Sequence, residues 1–384
     1  MNKFVAKLKE SPFHIIRRND LPLWQRILYK TGAILFGFIL LCLLLLIFAQ
    51  ANPIDVVVNL FKGCFSSSRR TWRTFRELAL ILMVALALVP SFKMKFWNLG
   101  GNGQILIGDL AAIVCMFYMG NAGIPDWAII IAMFFAATAA GAIWAIIPAI
   151  FKSFFNTNES LFTLMMNYIA AGLVSVFLSA AVTSGSGTLP LQTAGNLPSL
   201  AGNDSLFTII VACVVFIGIF VYLRFRKAGY ELEVVGESQR TAKYVGINVK
   251  LVTIRTLAIS GAICGLVGFL LAGSIDHTIN SDSARNLGFT AIMVAWLSKF
   301  NPLTMIATSF LVAFLSNGMS AVQTAFSITN DSIGDISIGL VYFSIIAIEF
   351  FISYKIVRKH NDLGVSKTAE AIASVSENNE GGNK

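Results

Sequence analysis

Few residues in this chain could do polar chemistry, and most of those are neutral amides. Asn98, Asn102 and Gln104 fall close together, Asn167 stands further along, and Asp109 and Glu159 lie in or at the edge of apolar runs. Amides offer donors and acceptors together, which suits sugar hydroxyls or base edges. Singly, each could equally cap a tight turn. Asp109 could face a solute pathway, or pair with Lys93 or Lys95. Glu159 could be a first-turn acid favoured by a helix dipole. Nothing here resembles covalent chemistry. There is no Gly-Lys pair, hence no phosphate-cradling G-x-x-x-x-G-K-[ST] loop, and no H-E-x-x-H or G-x-S-x-G. Cys42, Cys64, Cys115, Cys213 and Cys264 form no C-x-x-C, and His14, His277 and His360 are scattered, so no metal site is expected.

The elements that must position these groups are set by composition. Of 384 residues, 56% are apolar and 13% charged, outside the range of soluble domains. Such a chain needs a bilayer as solvent, which argues against a soluble enzyme, a disordered chain or a disulfide scaffold. Apolar runs at 31–49, 78–92, 104–120, 126–150, 161–183, 206–223, 253–275, 287–299, 303–323 and 336–355 give about ten membrane helices in an all-α protein. The runs 78–92 and 287–299 are short and read as broken helices beside a cavity. Gly100, Gly101 and Gly103 also predict a helix break, since each glycine costs ~1 kcal/mol relative to alanine.

Charge sets the expected orientation. With the amino end inside, 23 Lys/Arg fall on the inner side and 6 on the outer, so both termini are expected in the cytoplasm. The net charge of +9 then reads as topology rather than as a nucleic-acid surface. Residues 1–30 form a basic cytoplasmic segment with no cleavable signal, 31–357 the membrane domain, and 358–384 a polar, disordered cytoplasmic tail. Residues 52–77 carry five outer-side cations; an interfacial helix over Phe61–Phe75 is the preferred explanation, misassignment of the first two spans the alternative. The Gly/Ser/Asn-rich loop 184–205 is either a docking or lid loop or a passive surface loop.

The inner loop 224–252 has more structure. Arg240 to Tyr244 favour a short exposed helix, Gly246 is placed to end it in a left-handed cap, and Gly236 breaks the run before it. A short helix held between two spans can act as a lever for a soluble partner; an ordinary basic loop is the alternative. Gly261, Gly265 and Gly268 form a small-residue face of the kind that packs helices closely.

Residues 231–246 resemble the coupling-helix region of permease subunits from ATP-binding-cassette importers of the branched-chain amino acid, simple sugar and nucleoside group. Leu232, Val235, Gly236, Glu237, Ala242, Gly246 and Ile247 match that pattern, while Glu233, Ser238 and Thr241 depart from it. Asn98–Gln104 is similar to the N-I-G-A-E-G-Q block of the nucleoside and sugar branch, with Asn102 in place of the glutamate. Asn158-Glu159 with Leu164–Tyr168, Ser260-Gly261 with Gly265 and Gly268, Gly288–Ala295, and Asn301-Pro302 follow in the family's order. The resemblance spans roughly 75–350, and Asp109 departs from its usual apolar residue.

The resemblance implies a multi-pass permease subunit in the cell membrane, without its own ATPase site. It would carry a nucleoside, or else a simple sugar, by alternating access. It implies a separate ATP-binding subunit that holds ATP and Mg, a second homologous permease, and a substrate-binding lipoprotein or periplasmic protein; the favoured branch is the one served by purine-nucleoside lipoproteins. Asn98, Asn102, Gln104, Asp109, Glu159 and Asn167 are the expected pathway residues, and Gly236, Glu237, Arg240, Ala242 and Gly246 the expected coupling residues. The alternative is an ion-coupled secondary transporter using Asp109 and Glu159.

Overall fold

The computed structural model describes residues 13–17, 22–182, 187–328 and 331–358. Most of the basic amino-terminal stretch, the tail from 359 onward and the side chain of Glu349 lie outside the described residues. The chain is all-helical across its apolar length. Its helices are α1 (Leu23–Ala49), α2 (Pro53–Phe65), α3 (Ser68–Lys93), α4 (Gly101–Asn121), α5 (Asp126–Phe155), α6 (Glu159–Ala181), α7 (Ser205–Phe225), α8 (Lys227–Glu237), α9 (Gln239–Tyr244), α10 (Val249–Leu270), α11 (Leu287–Leu297), α12 (Pro302–Ala325) and α13 (Asp331–Ser353). A π-helical turn, Leu271–Asp276, extends α10. Among the described residues, eight helices are long and apolar enough to cross a bilayer. Shorter apolar stretches lie at Leu287–Leu297 and Ile338–Ile348.

The described residues fall into two compact units, those up to Leu44 together with those from Ile336 onward forming one, and those of Leu45–Asp335 the other. In the first, a Cβ on Gly37 would come within 3.0 Å of Val341 Cα, so α1 and α13 cross closely there. Strands β1 (Phe13–Arg17) and β2 (Tyr354–Arg358) pair antiparallel, with Phe13 opposite Arg358 and Arg17 opposite Tyr354. The segment before α1 and the segment after α13 therefore pair with each other.

In the second unit, the run expected to start at residue 78 is much longer. Ser67 Oγ accepts from Arg70 N at 3.3 Å, which caps α3 ten residues earlier than hydropathy suggests. The helix expected over Phe61–Phe75 is likewise displaced. Asn52 and Pro53 start α2 instead, and it stops at Ser66. Hydropathy could not see this boundary, because the arginines of 69–76 are good helix formers despite their charge. Gly63 lies against Gly318 and Ala321 of α12, and Phe61 meets Phe314 with ring centroids 5.1 Å apart.

The centre of this unit is a junction of α4, α5 and α10. A Cβ on Gly261 would strike Gly141 O, one on Gly265 would strike Ala137 O, and one on Gly268 would strike the backbone at Ile105, Gly108 and Asp109. These backbones touch because glycine leaves nothing between them, and close packing is what attracts helices in lipid.

Candidate functional site

The chain turns back after α3 and restarts as a helix at Gly101. Lys95 takes a left-handed φ of 58° in the turn. Asn98, fully buried, holds this connection from within: its Oδ1 accepts from Gly100 N at 3.1 Å and from Gln104 Nε2 at 3.2 Å, and its Nδ2 donates to Ser260 Oγ at 3.4 Å. From the other side α6 clamps it. Asn167 Oδ1 accepts from Gly103 N at 2.8 Å, Asn167 Nδ2 donates to Leu99 O at 3.0 Å, and Thr163 Oγ1 accepts from Leu99 N at 3.1 Å. The first-turn amides of a helix have no intrahelical acceptor, so side-chain oxygens fill that role here.

A second helix start meets the first. Gly101 lies against Gly288, at the beginning of α11. Asn102 Oδ1 accepts from Gly288 N at 2.7 Å, and Asn102 Nδ2 donates to Asn286 Oδ1 at 3.3 Å. One amide thus ties the amino ends of α4 and α11 together. Beside this junction is a cavity of about 330 Å³. Asn102, Asn167, Ser281, Asp282, Arg285 and Asn286 give it a polar wall, while Leu106, Leu164, Tyr168 and Phe289 give it an apolar and aromatic one. Tyr168 and Phe289 are exposed. Asn98 and Gln104 do not line the cavity. Both are buried, Asn98 in the connection before α4 and Gln104 in its first turn, where Gln104 Oε1 has no hydrogen-bond partner.

Asp109 is 1% exposed, and neither carboxylate oxygen has a hydrogen-bond partner. Its charged neighbours are Asp276 and Arg285. Lys93 is engaged elsewhere, 3.0 Å from Glu233. Arg285 pairs with Asp276 at the end of the π-helical turn, and Arg76 and Glu77 of α3 lie within electrostatic reach of that pair. Ionisable groups at this depth are costly and usually functional. Glu159 lies apart, in an ion pair with Lys152 at 2.7 Å across the α5–α6 turn.

The loop after α6 is tied down over its described part. Leu189 N, Gln192 N and Leu197 N donate to the carbonyls of Ile279, His277 and Gly273, and Asp126 Oδ1 accepts from Gly195 N at 2.8 Å.

At the opposite end of the same unit lie α8 and α9. Gly236 rests on the last turn of α3, where a Cβ would collide with Lys93 O. Arg255 Nη2 donates to Glu231 Oε2 at 2.8 Å, tying α8 to α10. Ser238 separates the two short helices in extended backbone and caps the second, its Oγ accepting from Thr241 N at 3.2 Å. Ala242 is fully buried in one cluster with Leu232, Val235, Met94, Phe96, Ala145, Ala149 and Leu257. Gly246 takes φ +83° and ends α9. Glu237, Arg240 and Lys243 face outward, and Tyr244 is 93% exposed. One face of α9 is therefore anchored and the other presented. The anchor leads through Lys93 and Phe96 to Asn98, and so to the cavity-side start of α4.

A family profile, the permease component of the branched-chain amino acid transport system, matches residues 72–348. Three relatives align over most of their lengths. The nucleoside ABC transporter permease protein NupB of Lactococcus lactis is 25% identical, covering 87% of this chain and 92% of its own. The glucose ABC transporter permease protein TsgB13 of Haloferax volcanii is 26% identical, with 81% and 85% covered. The guanosine ABC transporter permease protein NupP of Bacillus subtilis is 25% identical, with 67% and 76% covered.

Proposed function

Because the chain belongs to the branched-chain amino acid transport system permease family, and so is a multi-pass membrane permease component of an ABC importer without its own ATPase domain, we propose that its cargo is a nucleoside. The observation that carries this reading is the cavity, whose lining combines Tyr168 and Phe289 with amide- and hydroxyl-bearing side chains. A nucleoside presents an aromatic plane joined to a hydroxylated ring. Aromatic side chains stack the plane, and Asn102, Asn167, Ser281 and Asn286 answer the hydroxyls and base edge. Arg285 is neutralised by Asp276, which leaves no unpaired cation for an amino acid's carboxylate among the described residues that line the cavity. The names of NupB and NupP support this reading over the sugar named in TsgB13.

In this account a separate ATPase subunit holds ATP and Mg, a second permease completes the pathway, and an external binding lipoprotein or periplasmic protein delivers the solute. Closure of the ATPase presses on the exposed face of α9. Gly236 against Lys93, and Glu231 with Arg255, carry that displacement into α3 and α10. The connection 94–100 then shifts the start of α4, where Asn102 holds α11. Asn102 and Asn167 line the pathway, and Asp109 lies one helical turn beyond Leu106 on α4. Asn98 and Gln104 support it from behind.

The test is uptake of labelled uridine, adenosine and ribose by the reconstituted complex. Nucleosides are expected to be taken up, with ribose a poor substrate. Phe289→Ala is expected to weaken apparent nucleoside affinity by about 1–3 kcal/mol, the range for one lost aromatic–base stack. Ribose preferred over both nucleosides, or a Phe289→Ala variant of unchanged affinity, would sink the assignment.

A further inference from the structure

A second cavity lies away from the pathway, at the end that carries α8 and α9. It measures about 640 Å³ and is bounded by the last turn of α7, by α8 and by the α11–α12 turn. Lys93, Arg224, Arg226 and Lys299 line it, against one carboxylate, Glu233. Glu233 is held by Lys93 at 3.0 Å, and Arg224 and Arg226 keep the lining cationic. Tyr230 and Asn301 add polar groups, and Phe220, Leu223 and Phe300 form the apolar side.

The helix that leads into this cavity is the least covered of the core spans. Only 17% of its apolar window is buried. Ile210, Val214, Ile217, Val221 and Phe225 are exposed along it at intervals of three and four, which makes one continuous apolar stripe. The stripe ends where Arg224 and Arg226 begin. None of the stripe lines the cavity, which takes the adjoining face of α7 through Phe220, Leu223 and Arg224. A basic pocket with an apolar side, next to a bare apolar helix, matches the two parts of an anionic phospholipid: phosphate among the cations, acyl chains along the helix. Free phosphate would use the pocket but not the stripe.

We propose that this cavity is a binding site for the headgroup of an anionic phospholipid, with the acyl chains lying along α7. Because Lys93 and Glu233 also join α3 to α8, a lipid seated there bears on the contact through which α8 rests on the bundle. The proposal does not depend on which solute is carried.

The test uses the full complex in nanodiscs of phosphatidylcholine, alone or doped with phosphatidylglycerol, with native mass spectrometry of lipid retained after mild delipidation. Retention of phosphatidylglycerol over phosphatidylcholine is expected. Arg224→Gln with Arg226→Gln should lower it roughly thirtyfold, the factor that two lost cations imply at an anionic surface. Arg224→Lys with Arg226→Lys should restore most of it, which separates charge loss from misfolding. Three results would overturn the proposal: equal retention in the glutamine variant, displacement by inorganic phosphate as effective as by phosphatidylglycerol, or retention in the permease alone that vanishes in the full complex. The last would assign the surface to the ATPase.

Discussion

Gly236→Ala is expected to assemble into the complex and yet lose ATP-driven uptake. The added Cβ would meet Lys93 O well inside contact distance, and a backbone carbonyl cannot swing aside as a side-chain tip can. α8 must then lift from the end of α3. The Lys93–Glu233 ion pair, with side chains 26% and 61% exposed, is worth too little to hold it down. The buried contacts of Leu232 and Val235 loosen with it. Coupling energies between distant sites run to about 1–3 kcal/mol, so uptake per ATP hydrolysed should fall ~5–150-fold. The check is the ratio of uptake to ATP hydrolysis in proteoliposomes, with assembly measured by co-purification. A variant that hydrolyses and transports at the original ratio would show that α8 does not carry the stroke.

The second large effect is on folding. Gly265→Leu is expected to yield little folded protein. Gly265 faces Ala137 O and Gly141 Cα on α5 and Gly108 on α4, so its α-carbon is buried between two neighbouring backbones. Overpacking an interior usually costs about 1–3 kcal/mol, and a clash with rigid backbone belongs at the top of that range or beyond. Gly261→Ala should be milder than leucine but still destabilising, because it too meets a carbonyl, that of Gly141. Thermal unfolding of detergent-purified protein measures both. If Gly265→Leu unfolds at the unaltered temperature, the three-helix junction is looser than these distances require. Gly172 and Gly218 have open space around them and provide controls on exposed helix faces.

Much of this architecture was legible in the sequence, for a plain reason. Hydropathy reports burial in lipid or protein alike, so the apolar runs became helices with ends shifted by a few residues. The failure at 68–77 has the same origin. Four arginines lower hydropathy without lowering helix propensity, so α3 looked ten residues shorter than it is. The glycine stop at Gly246 could be read because a left-handed cap has few other solutions.

The site was less legible. The amides at 98, 102 and 167 stood out as polar residues in apolar surroundings, but their partners belong to other elements. Nothing in the local sequence says that Asn167 takes Gly103 N or that Asn102 holds Gly288 N. Tyr168, Phe289 and Arg285 went unmarked as cavity residues, since an aromatic or a single cation in a membrane protein has many ordinary uses. The close approach of Gly101 to Gly288 is a tertiary fact. The exposed face of Tyr244 had a weak sequence signal: an aromatic residue just before a helix-ending glycine, in a loop otherwise polar.

In the proposed mechanism, solute movement through this chain is driven by a separate ATPase acting through α8 and α9. Uptake of a labelled nucleoside into proteoliposomes, holding the chain with and without its ATPase subunit and with ATP present or absent on the ATPase side, decides this. Uptake is predicted only when ATPase and ATP are both present, and it should persist when ion gradients are collapsed. Uptake by this chain without the ATPase, driven by a proton or sodium gradient and lost in Asp109→Asn, would instead identify an ion-coupled carrier.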